Sequence, residues 1–231
     1  MASLIAALFL LLGGQASQAD RDGHAKQPPE PRIEWHDSVA LGTPGAGTLQ
    51  AGVKLPAAGR NFFTWDPILK RQPNRGWRRW ATDDLVHTLL EVIRAHARAH
   101  PGAARVGIGD LSRPHGGSFG PEFGGIGHAT HQNGLDADVY YPLLDGNSGP
   151  AHKVCRRGRV RRAKPAARCL ERAPLGAAEI EPALSQELVD RFVRAGATTI
   201  YVGPNTGLTG PPGVVIPLVN HDNHLHVRIA P

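Results

Sequence analysis

Two stretches constrain what this 231-residue chain can fold into more than anything else in it. One is His128-Ala-Thr-His131-Gln-Asn-Gly-Leu-Asp136-Ala-Asp138-Val-Tyr-Tyr; the other is the C-terminal Asn220-His221-Asp-Asn-His224-Leu-His226-Val-Arg-Ile. Five of the chain's twelve histidines fall in them. Both alternate polar and apolar residues with the period of a strand that buries one face. Asp136, Asp138 and Tyr140 then share one face, as do His224, His226 and Arg228 on the second strand. If the strands pair, directly opposite Cβ atoms lie about 5 Å apart, and Asp138 and His226 reach one ion.

His131 and Asp138 are seven residues apart. On a helix their Cα atoms would be about 10 Å apart, too far for one metal. On a straight strand they would face opposite ways. A bend at Asn133-Gly134 resolves this by folding His131 back from a loop onto Asp138. Two imidazoles and one carboxylate with an open fourth position are a catalytic zinc pattern, since the open position holds water. The competing reading is a polar strand with surface histidines. Asp136 competes with Asp138 for the carboxylate role.

The residues His131-x6-Asp138 and, far downstream, His224-x-His226 resemble the zinc peptidases of the lysostaphin, D-alanyl-D-alanine carboxypeptidase and hedgehog-like group. The longer string Gly127-His-Ala-Thr-His-Gln-Asn-Gly-Leu-Asp-Ala-Asp-Val, with His221-x-x-His224-x-His226-Val-Arg, is most similar to the penicillin-insensitive murein endopeptidases. Weaker similarity covers Asn74-Arg-Gly-Trp-Arg-Arg-Trp and Val106-Gly-Ile-Gly-Asp110, so the resemblance runs from about Val39 to the C-terminus. It implies one Zn2+ held by His131, Asp138 and His226, and it selects Asp138 over Asp136. It implies His224 as general base or oxyanion support. His221 is then a second acid/base or an orienter of His224, and His128 a further ligand or a support. In related carboxypeptidases an arginine after a comparable strand stabilises substrate oxygen, which points to Arg113. The implied partner is peptidoglycan, cut at its peptide cross-links. The alternatives are a D,D-carboxypeptidase of the same fold and a wall-binding module without catalysis.

Charge alone does not choose the partner. The net charge of +6 and pI near 9.8 suit nucleic acid, anionic lipid or an acidic wall polymer. Given the resemblance, nucleic acid is not expected. Residues 1–19 read as a signal peptide: Leu4–Leu12 is too short to span a bilayer, and Ser17-Gln-Ala19 offers small residues for cleavage. No Lys or Arg precedes the run, which leaves an uncleaved anchor as the alternative. The mature chain is expected to be exported to periplasm or cell wall without a transmembrane helix. Its oligomeric state is open.

Residues 20–38 read as a linker and 39–231 as one domain. Length and abundant Gly and Pro predict an α+β fold, with a small central antiparallel sheet carrying the site and long loops around it. Thr82–His100 is the clearest helix, capped by Thr82 and stopped by Pro101-Gly102, with His87, His96 and His100 read as surface or packing residues. Leu184–Ala195 is a second helix, and Arg105–Leu111 and Thr198–Val202 are strands. Val39–Gly59 reads as coil covering a sheet edge or wrapping the front of the domain. Gly203–Pro217 reads as a loop along one wall of the cleft. Phe62, Phe63, Trp65, Trp77 and Trp80 lie among Arg60, Arg75, Arg78 and Arg79. Such a cluster either grips sugars and carboxylates or is core aromatic with solvated arginines. An insertion at about 145–178 holds Cys155 and Cys169, a disulfide in an exported chain, closing a basic loop.

Overall fold

The computed structural model describes residues 30–121, 128–146 and 179–231. The predicted signal peptide, residues 122–127, and Cys155 and Cys169 with their basic insertion lie outside the described residues.

The two alternating stretches form neighbouring strands. β7 (Asp136–Tyr140) and β10 (His224–Arg228) pair antiparallel, with His226 opposite Asp138 and Arg228 opposite Asp136. Their apolar faces supply Ala137, Val139, Leu225 and Val227, all fully buried. These strands are the centre of a six-stranded sheet. The other members are β4 (Phe62–Thr64), β6 (Val106–Ile108), β8 (Thr199–Val202) and β9 (Val215–Pro217). The spatial order is β4-β6-β7-β10-β8-β9. The fold class is α+β as expected, but the sheet is mixed, not purely antiparallel. β6, β7, β10 and β8 run antiparallel to their neighbours in turn, while β4 joins β6 and β9 joins β8 in parallel.

Two helices cover the apolar face. α1 (Asp83–Ala99) starts where Thr82 Oγ1 accepts from Leu85 N, and Asp83 and Asp84 sit at its positive end. It buries Leu85, Val86, Leu89, Val92 and Ile93. α2 (Pro182–Arg194) is capped by Glu181, has Pro182 in its first turn, and buries Leu188, Val189 and Phe192. It packs beside α1 and ends at Gly196, whose φ of +87° suits glycine. These side chains and the sheet's apolar face form one continuous core.

The stretch before β4 is more ordered than coil. β1 (Val39–Thr43) and β2 (Ala46–Gln50) form a hairpin in full register. The short strands β3 (Val53–Lys54) and β5 (Trp80–Ala81) pair with each other. The hairpin's tip lies on the His131 loop, where Gln132 N donates to Pro44 O and Gly117 N to both Gly47 O and Gln132 O. Residues just upstream of the hairpin lie on α1. Asp83 accepts from His36 N and from Ser38 N and Oγ, and Trp35 stacks on His87 with ring centroids 3.9 Å apart. Among the described residues no helix is long and apolar enough to cross a membrane.

Candidate metal centre

The bend predicted between His131 and Asp138 is present, and backbone conformation makes it. Gly134 has φ +81° and lies so close to Leu49 and Thr82 that an added Cβ would meet Leu49 Cδ1 at 2.9 Å. His131 itself has φ +68°, a left-handed conformation that a non-glycine residue adopts at a local cost. The surroundings hold it there: His131 N donates to Asp136 Oδ2 at 3.3 Å.

Three ligand atoms converge at the loop's end. His131 Nε2 lies 3.2 Å from Asp138 Oδ1 and 3.2 Å from His226 Nδ1, and His226 Nδ1 lies 3.4 Å from Asp138 Oδ1. Nitrogen and oxygen ligands held about 2.1 Å from a tetrahedral ion would sit about 3.4 Å from each other. The triangle therefore has the size of one face of such a shell.

The outer hydrogen bonds decide which way the rings point their lone pairs. His131 Nδ1 is 3.1 Å from Leu111 O, an acceptor only, so Nδ1 carries the proton. His226 Nε2 is 2.7 Å from Asp136 Oδ1, which also accepts from Arg228 Nε at 2.7 Å. His226 therefore donates from Nε2. Both inner nitrogens are left with lone pairs, and they face a carboxylate oxygen that is buried without a hydrogen bond. Three acceptors aimed at one point in a dry site repel unless a cation stands between them. The group fits a metal ion.

Electrostatics give the same result. Burial opposes charge on Asp138, yet the adjacent His131 and His224 hold its pKa well below the ordinary carboxylate value. Burial likewise opposes charge on His226, but the hydrogen bond to Asp136 and the two nearby carboxylates, Asp136 and Asp138, raise its pKa to about 9. Asp136, the sequence's rival for Asp138, stands behind His226 instead.

A family model for penicillin-insensitive murein endopeptidases matches residues 40–231, which contain every residue of this cluster. The chain belongs to that family. No curated protein matches it. Members of the family are peptidases of peptidoglycan, so the cluster is the natural candidate for the active centre of this murein endopeptidase.

The remaining expected residues surround it. His224 Nε2 is 3.6 Å from Asp138 Oδ1, and its Nδ1 donates to Asn223 Oδ1 at 2.8 Å. His221 packs 5.0 Å from His224, ring to ring, and its Nδ1 faces the carbonyls of Leu218 and Val219. Burial lowers the pKa of His221, so it stays neutral near pH 7. His128, His131 and Asp138 also bring ligand atoms within 4.8 Å of one another. His128 Nε2, however, is 2.7 Å from Asp110 Oδ2 and 3.9 Å from Asp138 Oδ2. Burial opposes its charge, but these two carboxylates raise its pKa. Arg113 donates to Ser118 O at 2.7 Å and so ties down the loop that follows β6.

The sequence reading missed Arg78 and Asp110. Arg78 is not a solvated arginine: its side chain is wholly buried, as is Asp110, and the two form an ion pair. Asn74 Nδ2 donates to the same carboxylate at 3.0 Å. Asp138 N donates to Asp110 O at 2.9 Å, which fixes β7 against this knot. Phe62 and Phe63 are core residues, and Arg75 and Arg78 lie over the Trp77 ring at 4.8 and 4.9 Å. Asn74, Arg75, Trp77, Arg78 and Asp110 sit in the segments of weaker resemblance, where only long-range pairing gives the residues a role.

Proposed function

We propose that the chain is an exported, zinc-dependent endopeptidase that hydrolyses peptide cross-links of peptidoglycan. The observation that carries this is the triangle of His131 Nε2, Asp138 Oδ1 and His226 Nδ1, with each imidazole donating its other N–H to a fixed acceptor. Zinc held there would polarise the scissile carbonyl and lower the pKa of a bound water toward about 7.

The chain's own residues do the rest. Asn223 fixes the proton of His224 on Nδ1, so Nε2 is the nitrogen that takes a proton from the attacking water. The same imidazole, once charged, returns that proton to the leaving amine. His221 stands against His224 as a neutral ring and steadies it. His128 is held by Asp110 and is best suited to supporting Asp138 from outside the triangle. The part of Arg113 in binding substrate oxygen rests on the resemblance. Export follows from the apolar N-terminal run and from the location of the substrate.

The test is digestion of purified peptidoglycan by the zinc-loaded protein, with fragments read by mass spectrometry. Loss of cross-linked dimers with gain of monomers is expected, and neither occurs with chelator or with His224→Ala. Release of only a terminal D-alanine would move the activity to the carboxypeptidases. Unchanged fragments from folded, zinc-loaded protein would overturn the enzyme reading and favour a wall-binding module.

A further inference from the structure

A second group of metal-binding side chains lies at the other end of α1. His96 and His100 are four residues apart, so they share one helix face, and their ring centroids are 5.0 Å apart. Glu187 of α2 points between them. Its Oε2 is 2.5 Å from His96 Nδ1 and 3.0 Å from His100 Nε2. The three ligand atoms lie within 4.8 Å of one another. The other carboxylate oxygen, Oε1, is taken by Arg191 one turn along α2, which fixes the orientation of Oε2. Thr82, at the start of α1, bonds to Gly134 beside the triangle. The His96–His100 pair lies over three turns further on, about 20 Å along the helix.

We propose that His96, His100 and Glu187 form a second divalent-cation site, which clips α1 to α2. The donor set is two imidazoles and one carboxylate, which suits Zn2+ and neighbouring transition metals over Mg2+ or Ca2+. His96 is buried and His100 is about a third exposed, so the ion would complete its shell with water on the His100 side. Without an ion, both rings donate a proton to Glu187 Oε2. To take an ion, each ring moves that proton to its far nitrogen. For His96 the far nitrogen is Nε2, buried without a hydrogen-bond partner. In the catalytic triangle both far nitrogens already have acceptors. The helix site therefore binds more weakly than the triangle and empties first as free metal falls. Its effect is on stability: an ion at 100 times its Kd shifts the folding equilibrium about 100-fold.

The experiment is equilibrium dialysis of the full chain across a range of free Zn2+, with metal counted per chain by mass spectrometry. His96 is buried, so the variants are His100→Ala and, independently, Glu187→Gln. Each is expected to bind one ion fewer than the wild type, at the weaker affinity step, and to keep its hydrolysis of peptidoglycan. Each also loses part of the zinc-dependent rise in thermal midpoint. His131→Ala should lose a different, tighter ion, so failure at one centre is read apart from failure at the other. Wild-type stoichiometry in both variants would overturn the proposal.

Discussion

The two clusters use nearly the same side chains and differ in how the backbone delivers them. The His131–Asp138–His226 triangle is assembled by strand register and one left-handed residue, from positions up to 95 apart in the chain. The His96–His100–Glu187 group is assembled by helical spacing and the contact of two helices. In the first, every outward imidazole nitrogen has an acceptor, and the inward atoms are all acceptors. In the second, one outward nitrogen has none and the inward nitrogens already donate to the carboxylate. Convergence of ligand types is thus common to both, and the pairing of the far nitrogens separates them.

The largest effect expected is from breaking the triangle. Asp138→Asn or His131→Ala should remove the tight ion and lower turnover at least ~10^3-fold, because polarisation by a metal is worth several kcal/mol. Activity assayed with metal content would check this; an active, metal-free variant would dissociate the triangle from the chemistry. His224→Ala should leave the ion in place and lower kcat by about 10^2 to 10^4, the range for loss of a general base. A variant that lost metal as well would make His224 a ligand.

Next comes the buried Arg78–Asp110 knot behind the triangle. Asp110→Asn leaves the Arg78 charge without its partner and should cost about 3–5 kcal/mol of stability in denaturant unfolding. The same carboxylate gives a pH dependence. Burial raises its pKa, but hydrogen bonds from Arg78 and His128 outweigh this and lower it from 3.8 to about 2. A depressed folded-state pKa gives stability that is present above the unfolded value. It is lost as pH falls from about 4 toward 2. The wild type should lose stability through that window, and Asp110→Asn should lose less. Equal acid sensitivity would place the titrating group elsewhere.

Asp136→Asn tests the paired far nitrogen directly. An amide that turned its NH2 group toward His226 would take away the acceptor for Nε2–H, and the neutral residue also loses its pairing with Arg228. Metal affinity should fall about 10–100-fold while the ligand set is intact. Unchanged affinity would mean that the outer acceptor does not set the order of the two sites.

The strand alternation made the core of the site legible before the structure, because its period of two is a property of adjacent residues. Leu135, Ala137 and Val139 against Asp136, Asp138 and Tyr140 needed no tertiary information. The alternation alone left Asp136 and Asp138 on one face, and only the resemblance separated them; the register sets His226 opposite Asp138 and Arg228 opposite Asp136. α1 was legible to within a residue through Thr82 and its apolar stripe. β4 and β9 were not. Each is three residues long and pairs in parallel with a strand distant in sequence, so local pattern carries little of their stability. Sequence left Arg78 open between gripping a carboxylate and lying in solvent because its partner lies 32 residues away. His96 and His100 read as surface or packing histidines because Glu187 is on another helix.

The smallest effect sharpens the comparison most. In metal-free protein, His100→Ala removes one partly exposed hydrogen bond to a carboxylate that keeps Arg191 and His96. Solvent screens such pairs, so the loss should stay below about 1 kcal/mol. Denaturant midpoints in chelator would measure it. Added Zn2+ should then separate wild type from variant by a margin that grows with free metal, since only the wild type has the second site to fill. A loss above about 2 kcal/mol in chelator would show that His100 and Glu187 hold the helices together as a plain hydrogen-bonded pair. In that case the resemblance between the two clusters would end at their ligand types.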